Sequence, residues 1–546
     1  MVTPNLSQKQ SIILTTTEMA KKLFQTIYFE QKQEKKDDDE AKIRVSETIS
    51  RMAFYYEKIR NSVDYKEEHL LLKEAINRVL NRLIGIEQQR DEQQIAKDLL
   101  TELIRAGYLP NNKIPETEIA PVGAIIKKYL VLRSIAKTKT VVVDKRELGE
   151  WLMNLASCEL EDHLNPKEVN NQVVKSMYDT LAPLLELPAN SPLEKDKEIQ
   201  LYVSIYRSYL RADEDIVSFV LFKYLVPNWL AADEQILAGA AEKIDELVKT
   251  IHYHLVHPLS GQLNRLVSRY TVFFSILTEV IAENPTDVYD CLKKDPKAFP
   301  RRIKNICAKR YKSVKKKLWR AALRSIIYLF ITKMLLVFVL EIPVAELLGQ
   351  PVNDFSLGVN IVFPPLLLFL IVLFTRTPGD ANTNKIIEGI DQLTFMEKAR
   401  REPIKLRPIA GRSAAKSFIF SLLYIITFFL SFGLVVWLLD SIGFNFVSIT
   451  IFLFFLALIS FFSIRIRMRV RELLVIDPRE NIFSLLMDFF SVPIISAGKW
   501  LSETFSKINV LVFILDFLIE APFKLFVEVA EEWTRYVKER KEDISQ

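Results

Sequence analysis

Three of the chain's five histidines fall within six residues, as His252-Tyr-His254-Leu-Val-His257. Imidazole is the commonest metal ligand, so this cluster is the first place to look for metal chemistry. On a helix His254 and His257 share a face and His252 points elsewhere. A zinc site would need further ligands; no cysteine pair lies nearby, and Asp245 and Glu246 would have to complete the set. The pattern reads as a helix end with exposed imidazoles, and His252, His254 and His257 remain weak metal candidates.

A second group of residues could act inside a membrane. Lys333 lies eight residues beyond Ser325 in an otherwise apolar run, about 12 Å along a helix at 1.5 Å per residue. Such a cation faces a bundle interior or a water path, unless it snorkels back to the interface. Pro364-Pro365 stands in the middle of the next apolar run. It removes two N–H donors and is expected to kink or break that helix. Transporters use broken helices at substrate sites, but no matching break and no inverted repeat is visible. In the tail, Asp516, Glu520, Lys524 and Glu528 recur at every fourth residue and so line one helical face. Asp516 and Glu520 could pair with Lys333 or Lys507, bind cations, or form the wet face of an amphipathic helix.

From Lys297 to Arg324 there are twelve basic residues and no acidic one. Tyr311 and Trp319 interleave with them, a mixture that can serve nucleic acid. The block abuts an apolar run, so a membrane surface is the stronger reading: Lys315, Lys316, Lys317, Trp319, Arg320 and Arg324 would meet anionic lipid. No specific nucleic acid is implied. Nucleotide chemistry finds no support, because neither G-x-x-x-x-G-K-[ST] nor G-x-G-x-x-G occurs. G-x-S-x-G, H-E-x-x-H and an EF-hand loop are also lacking. No catalytic residue and no cofactor is assigned.

The elements that must position these residues divide near residue 320. Hydrophobic residues make up 49% of 546, charged residues 26%, and mean hydropathy is +0.12. A polar, helically patterned part precedes several runs long enough to cross a bilayer. Glycine numbers only 14, which disfavours Rossmann folds, propellers and phosphate-cradling loops. The net charge of +6 less the twelve basic residues of one segment leaves −6 for the rest. Cys158, Cys291 and Cys307 are odd in number and unpaired in spacing, which fits a reducing compartment. No secretory or mitochondrial leader is recognisable at the N-terminus.

Four spans are read at 325–348, 355–374, 417–439 and 446–464. Twenty helical residues cover about 30 Å, the thickness of the hydrocarbon. The loop Arg376–Lys416 carries nine basic and five acidic residues, and Arg465, Arg467, Arg469 and Arg471 follow the fourth span. By contrast, Glu341–Asp354 has three acids and no base, and Asp440–Asn445 one acid and no base. Every basic flank thus falls on one side, the positive-inside pattern. Ile482–Leu501 and Val510–Val529 are apolar but interrupted, by Asp488, Pro493, Gly498 and Lys499 in the first. They read as interfacial or re-entrant amphipathic helices, with two further spans as the alternative.

The polar part begins with a loosely held arm, 1–40. A helical subdomain at 41–107 shows 3–4 spacing of apolar residues. The stretch 108–121, with Pro110, Pro115 and Pro121, reads as a linker, and 122–300 as a second helical domain. Asp144, Asn165-Pro166 and Ser191-Pro192 read as helix starts. Thr138–Asp144 could form one short strand. Ile216–Ala232 and Tyr270–Ala282 read as buried core helices, being too short to span. A basic juxtamembrane segment (301–324) leads into the four spans (325–464), and 465–546 holds the amphipathic helices and a tail.

The sequence thus describes an all-α protein: a cytoplasmic helical domain, a four-helix transmembrane region and C-terminal amphipathic helices. The expected location is a bacterial inner membrane with both termini cytoplasmic. The expected role is a non-enzymatic scaffold or assembly factor whose partners are anionic lipid and a protein or a second copy. A transporter or channel subunit using Lys333 and the Pro364-Pro365 break is the alternative.

Overall fold

A computed structural model describes residues 15–33, 41–64, 70–86, 91–295, 297–351, 353–375, 377–400, 402–408, 414–476 and 482–507, with isolated tail positions 529, 533, 536, 537 and 540. In chain order the helices are α1 (Glu18–Gln33), α2 (Glu47–Asp64), α3 (Leu71–Ile86), α4 (Glu92–Arg105), α5 (Ile119–Lys139), α6 (Lys145–Leu164), α7 (Glu168–Leu181), α8 (Lys197–Tyr209), α9 (Glu214–Leu225), α10 (Glu234–Glu242), α11 (Ile244–Leu255), α12 (Ser260–Glu283), α13 (Pro285–Lys294), α14 (Phe299–Leu336), α15 (Ile342–Leu347), α16 (Asp354–Leu373), α17 (Asp380–Thr394), α18 (Ala414–Ser441), α19 (Phe446–Arg471) and α20 (Ile482–Lys507). Among the described residues the strands are two residues each: β1 (Leu185–Glu186) pairs in parallel with β2 (Ile404–Lys405), Leu185 opposite Ile404. The all-α class holds.

The chain divides into two compact units. One comprises Phe29–Tyr178, Pro192–Asn264 and Asn509–Gln546; the other comprises Met1–Tyr28, Asp179–Ser191 and Arg265–Ile508.

In the first unit a single apolar core runs from Ile43 to Ile251. Residues on both sides of 108–121 enter it, including Leu99, Leu103, Ile126 and Leu152. Leu109 is itself buried, and Pro121 falls in the first turn of α5, where a missing N–H costs nothing. Asp144 caps α6 by accepting from the Arg146 and Glu147 amides at 2.8 and 3.1 Å. Asn165 instead closes α6, its amide bonding the Glu161 carbonyl, and α7 starts at Glu168. After Ser191-Pro192, a short turn at Glu194–Asp196 intervenes before α8 begins at Lys197. Thr138–Asp144 is no strand: α5 runs to Lys139, and the exposed Val141 and Val142 form a turn. The Asp245 carboxylate holds that turn, accepting from Thr140 Oγ1 at 2.6 Å and the Val141 amide at 2.9 Å. Ile216–Ala232 packs as core: α9 buries Val217 to Phe222, and Trp229 is 1% exposed.

Among the described residues of the second unit, four helices are long and apolar enough to cross a membrane: Phe299–Leu347, α16, α18 and Phe446–Met468. Only 17% of the apolar window of α18 is buried by protein. Its outward Phe418, Phe429 and Trp437 need lipid or another chain as cover. Two ends of this bundle are distinguishable. At the short-loop end, Asn353 and Asn445 cap α16 and α19 through the Phe355 and Ser448 amides. The Asn445 side chain also donates to the Pro351 carbonyl at 3.1 Å, tying the two connections together. At the basic-flank end, the buried Asn382 of α17 donates to Tyr311 Oη and the Leu473 carbonyl and accepts from the Val475 amide. That side chain fixes the 376–416 connection to α14 and to the end of α19.

α20 lies along α19. A Cβ on Gly498 would run into the Ala457 carbonyl oxygen, so only glycine permits this approach. Gly498 is sixteen residues into α20 and Ala457 fourteen from the end of α19, so α20 doubles back beside it. The second tail segment lies outside the described residues over positions 510–528.

Candidate functional site

α14 begins in the basic block and runs on as one helix through residue 336. Val337–Glu341 forms a π-helical turn, and α15 continues from it to Leu347. Glu341, which falls within the run read at 325–348, is inside the bundle and 1% exposed. The π turn has a geometric consequence. Seven residues make about two α-helical turns, and a π turn absorbs one residue more. Lys333 and Glu341, eight apart, are thereby brought to the same face.

The two charges meet around Asn360 of α16. Lys333 Nζ donates to Asn360 Oδ1 at 2.7 Å, and Asn360 Nδ2 donates to Glu341 Oε1 at 2.8 Å. Asn360 Nδ2 also lies 3.4 Å from the Ser448 carbonyl, and Ser448 Oγ of α19 donates to Glu341 Oε1 at 2.6 Å. Lys333 and Asn360 are fully buried, and Ser448 is 1% exposed. The Lys333 ammonium lies 4.4 Å from the centroid of the Phe455 ring, a cation–π contact from the same face of α19. Four side chains from three segments thus form one network. Glu341 Oε2 is the buried atom in it without a hydrogen-bond partner.

Lys333 is therefore no snorkelling residue: its amine points into the bundle. Pro364 and Pro365 are buried, and α16 passes through both without a break. Lys315, Lys316, Lys317, Arg320 and Arg324 are exposed on α14. Trp319 is half-buried, edge-on to Phe369 at 6.1 Å. Asp516 and Glu520 lie outside the described residues.

The histidines do not gather round a metal position. His252 is exposed, while His254 and His257 are buried, which corrects the expectation of exposed imidazoles. Gln200 of α8 meets His254 Nδ1 at 3.1 Å. His257 is engaged at both nitrogens, with Asp196 Oδ2 at 3.2 Å from Nε2 and the Leu259 amide donating to Nδ1 at 3.2 Å. Burial pushes the His254 imidazole below its ordinary range, opposed by Asp196 and assisted by His257.

Two further charged clusters sit in the first unit. Glu74, Asp213 and Asp215 bring carboxylate oxygens within 4.8 Å of one another, a spacing that could hold a cation. The position is served from within the chain: Lys73 Nζ lies 3.1, 2.5 and 2.9 Å from them. Burial disfavours that ammonium, but Asp215 and Asp213 outweigh it and hold the group above its usual range. In the second cluster Glu159 accepts from Lys128 at 2.5 Å, Tyr129 at 2.9 Å and the Trp229 indole at 2.9 Å. Every charge there is paired, as a buried structural network requires. The Cys158 thiol is pushed up by burial and is thus a poor nucleophile.

Sequence reasoning found Lys333 and missed Glu341, Asn360 and Ser448. An opposite charge about two turns away was the available signal for Glu341. Comparison of the chain with protein-family models, with curated proteins and with solved structures finds no match in any of the three.

Proposed function

We propose that this is a membrane-anchored helical scaffold or assembly factor without enzymatic activity, built to hold a protein partner or a second copy at the bilayer surface. The observation that supports this reading most is how the intrabundle polar groups are used. Lys333, Asn360, Glu341 and Ser448 bond to one another across three segments. Groups so arranged fasten helices together; a conducting path would need them turned toward water. The paired clusters of the first unit point the same way.

In this proposal the bundle sits in a bacterial inner membrane with the basic flanks and both termini in the cytoplasm. The exposed Lys315, Lys316, Lys317, Arg320 and Arg324 meet anionic headgroups, each worth about 1 kcal/mol near the surface. Trp319 is at the interface beside them.

The test pairs two measurements on the full chain. Photo-crosslinking residues at the exposed Val142, Tyr224 and Leu230 should give a discrete protein adduct in cells, whether a partner or a second copy. Proteoliposomes should show no ion or proton flux above that of empty vesicles. The transport reading is favoured by one observation, the burial of Lys333 away from the interface. Flux that disappears in K333M would establish it and overturn the scaffold.

A further inference from the structure

We propose that the outward face of α20 is the interface of a two-fold dimer of this chain, in which Lys499 of each copy pairs with Glu503 of the partner subunit. The register of α20 places this face at the depth where a charge most needs cover. Gly498 of α20 meets Ala457 of α19. Ten residues back along α20 stands Asp488, and ten residues on along α19 stands Arg467, on which Asp488 acts electrostatically. Two contacts in opposite sequence order make the helices antiparallel. On that register Lys499 is level with Leu456 and Glu503 with Phe452, near the middle of the membrane-length stretch Phe446–Met468. Their side chains are each 61% exposed, one turn apart on a single face. The closest N···O approach between them is 3.6 Å, too long for a hydrogen bond.

Charged side chains at this depth face protein and pair rather than meet acyl chains. α20 packs against α19 and α18, so its remaining face, with Val492, Lys499, Trp500 and Glu503 exposed, is the one to be covered. A second copy fits it best. It lies in the same membrane in the same orientation, so its own Lys499 and Glu503 come to the same depth. Opposite charges one turn apart are self-complementary about a two-fold axis, as an isologous contact requires. Each lysine then finds a carboxylate, and the four charges cancel. Trp500 adds a large anchor of the kind that dominates interfaces. An unrelated membrane helix would have to carry the reversed pair at matching depth. The chain beyond Ile508 groups with the first unit and not with the bundle, which disfavours the tail as the cover. The inference needs the bundle to lie in a bilayer and does not need the scaffold role: ion flux through the protein would overturn that role and leave the dimer standing.

The experiment places the fluorescently labelled full chain in liposomes of phosphatidylethanolamine and phosphatidylglycerol and counts subunits by photobleaching as the protein is diluted into lipid. The expected result is a monomer–dimer equilibrium. K499E and E503K set like charges against each other across the axis, and each should weaken association about tenfold or more. K499E/E503K restores opposite charges in reversed order and should return to within about threefold of the parent. A photo-crosslinking residue at position 500 gives a second readout, which decides alone if a reversal does not fold. An adduct of two full chains joined through α20 supports the dimer. Adducts to lipid alone, to another element of a second copy, or to residues 510–529 of the same chain overturn it. A parent that stays monomeric at every dilution overturns it too, as does a dimer indifferent to both reversals, or one in which the double reversal is weaker than either single.

Discussion

Replacing Lys333 by methionine removes the ammonium and keeps most of the side chain's volume, so the result reports on charge more than packing. Lys333 is fully buried and Glu341 1% exposed. Breaking a buried pair by removing one partner typically costs about 3–5 kcal/mol, because the other charge is left uncompensated. Ordinary polar contacts between membrane helices average only about 0.6 kcal/mol. The first figure applies here, since Asn360 and Ser448 offer Glu341 hydrogen bonds without opposite charge. K333M should therefore destabilise by about 3 kcal/mol or more, and E341Q by a similar amount through the stranded ammonium. K333M/E341Q carries no charge at all and should fall within about 1–2 kcal/mol of the parent, as neutral replacements of buried pairs do. The assay is reversible unfolding in bicelles or mixed micelles, run as a double-mutant cycle at neutral pH. Additive single effects, with the double mutant the least stable of the four, would refute the coupling.

Two further outcomes follow from other parts of the molecule. G498A should cost about 1–3 kcal/mol and lower the Tm, because its Cβ would meet the Ala457 carbonyl backbone; G358A, with open space around it, serves as the control for glycine replacement itself. His254 makes stability depend on pH in a defined direction: burial lowers its folded value, so its contribution is intact above the unfolded imidazole value near 6.5 and is lost as pH falls below it. Denaturant titrations of H254Q against the parent should diverge least at acidic pH, and a parent whose stability is flat from pH 7 to 5 would contradict this.

Three of the four long apolar helices were legible because an uncharged apolar run of about twenty residues has few alternatives to a membrane helix; the first, which carries Lys333, was legible from the apolar residues around that charge. Their packing was not. Gly498 looked like an interruption of an apolar segment, whereas it permits the backbone contact of α20 with α19. The proline-rich stretch 108–121 looked like a boundary, yet residues before and after it share one core. Apolar spacing identifies which face of a helix is buried and says nothing of which element covers it. The histidines show the same limit. Gln200 and Asp196, which engage His254 and His257, lie more than fifty residues away in sequence. No local pattern distinguishes those imidazoles from exposed ones.

The network around Lys333 was half legible, for a reason specific to intramembrane chemistry. A charge inside an apolar run stands out in any hydropathy reading, so Lys333 did. Asn360 and Ser448 carry no charge and vanish into runs that count as uncharged, although in lipid an amide or hydroxyl is nearly as much in need of a partner. Glu341 was visible within the run 325–348, but eight residues on a regular helix do not place it beside Lys333. What brings the two together is the π turn at Val337–Glu341, which rotates residue 341 onto the face of residue 333. On a regular α-helix eight residues overshoot two turns by about 80°, and Glu341 would turn away from Asn360. The irregular turn is thus the element on which the pairing of the two charges depends.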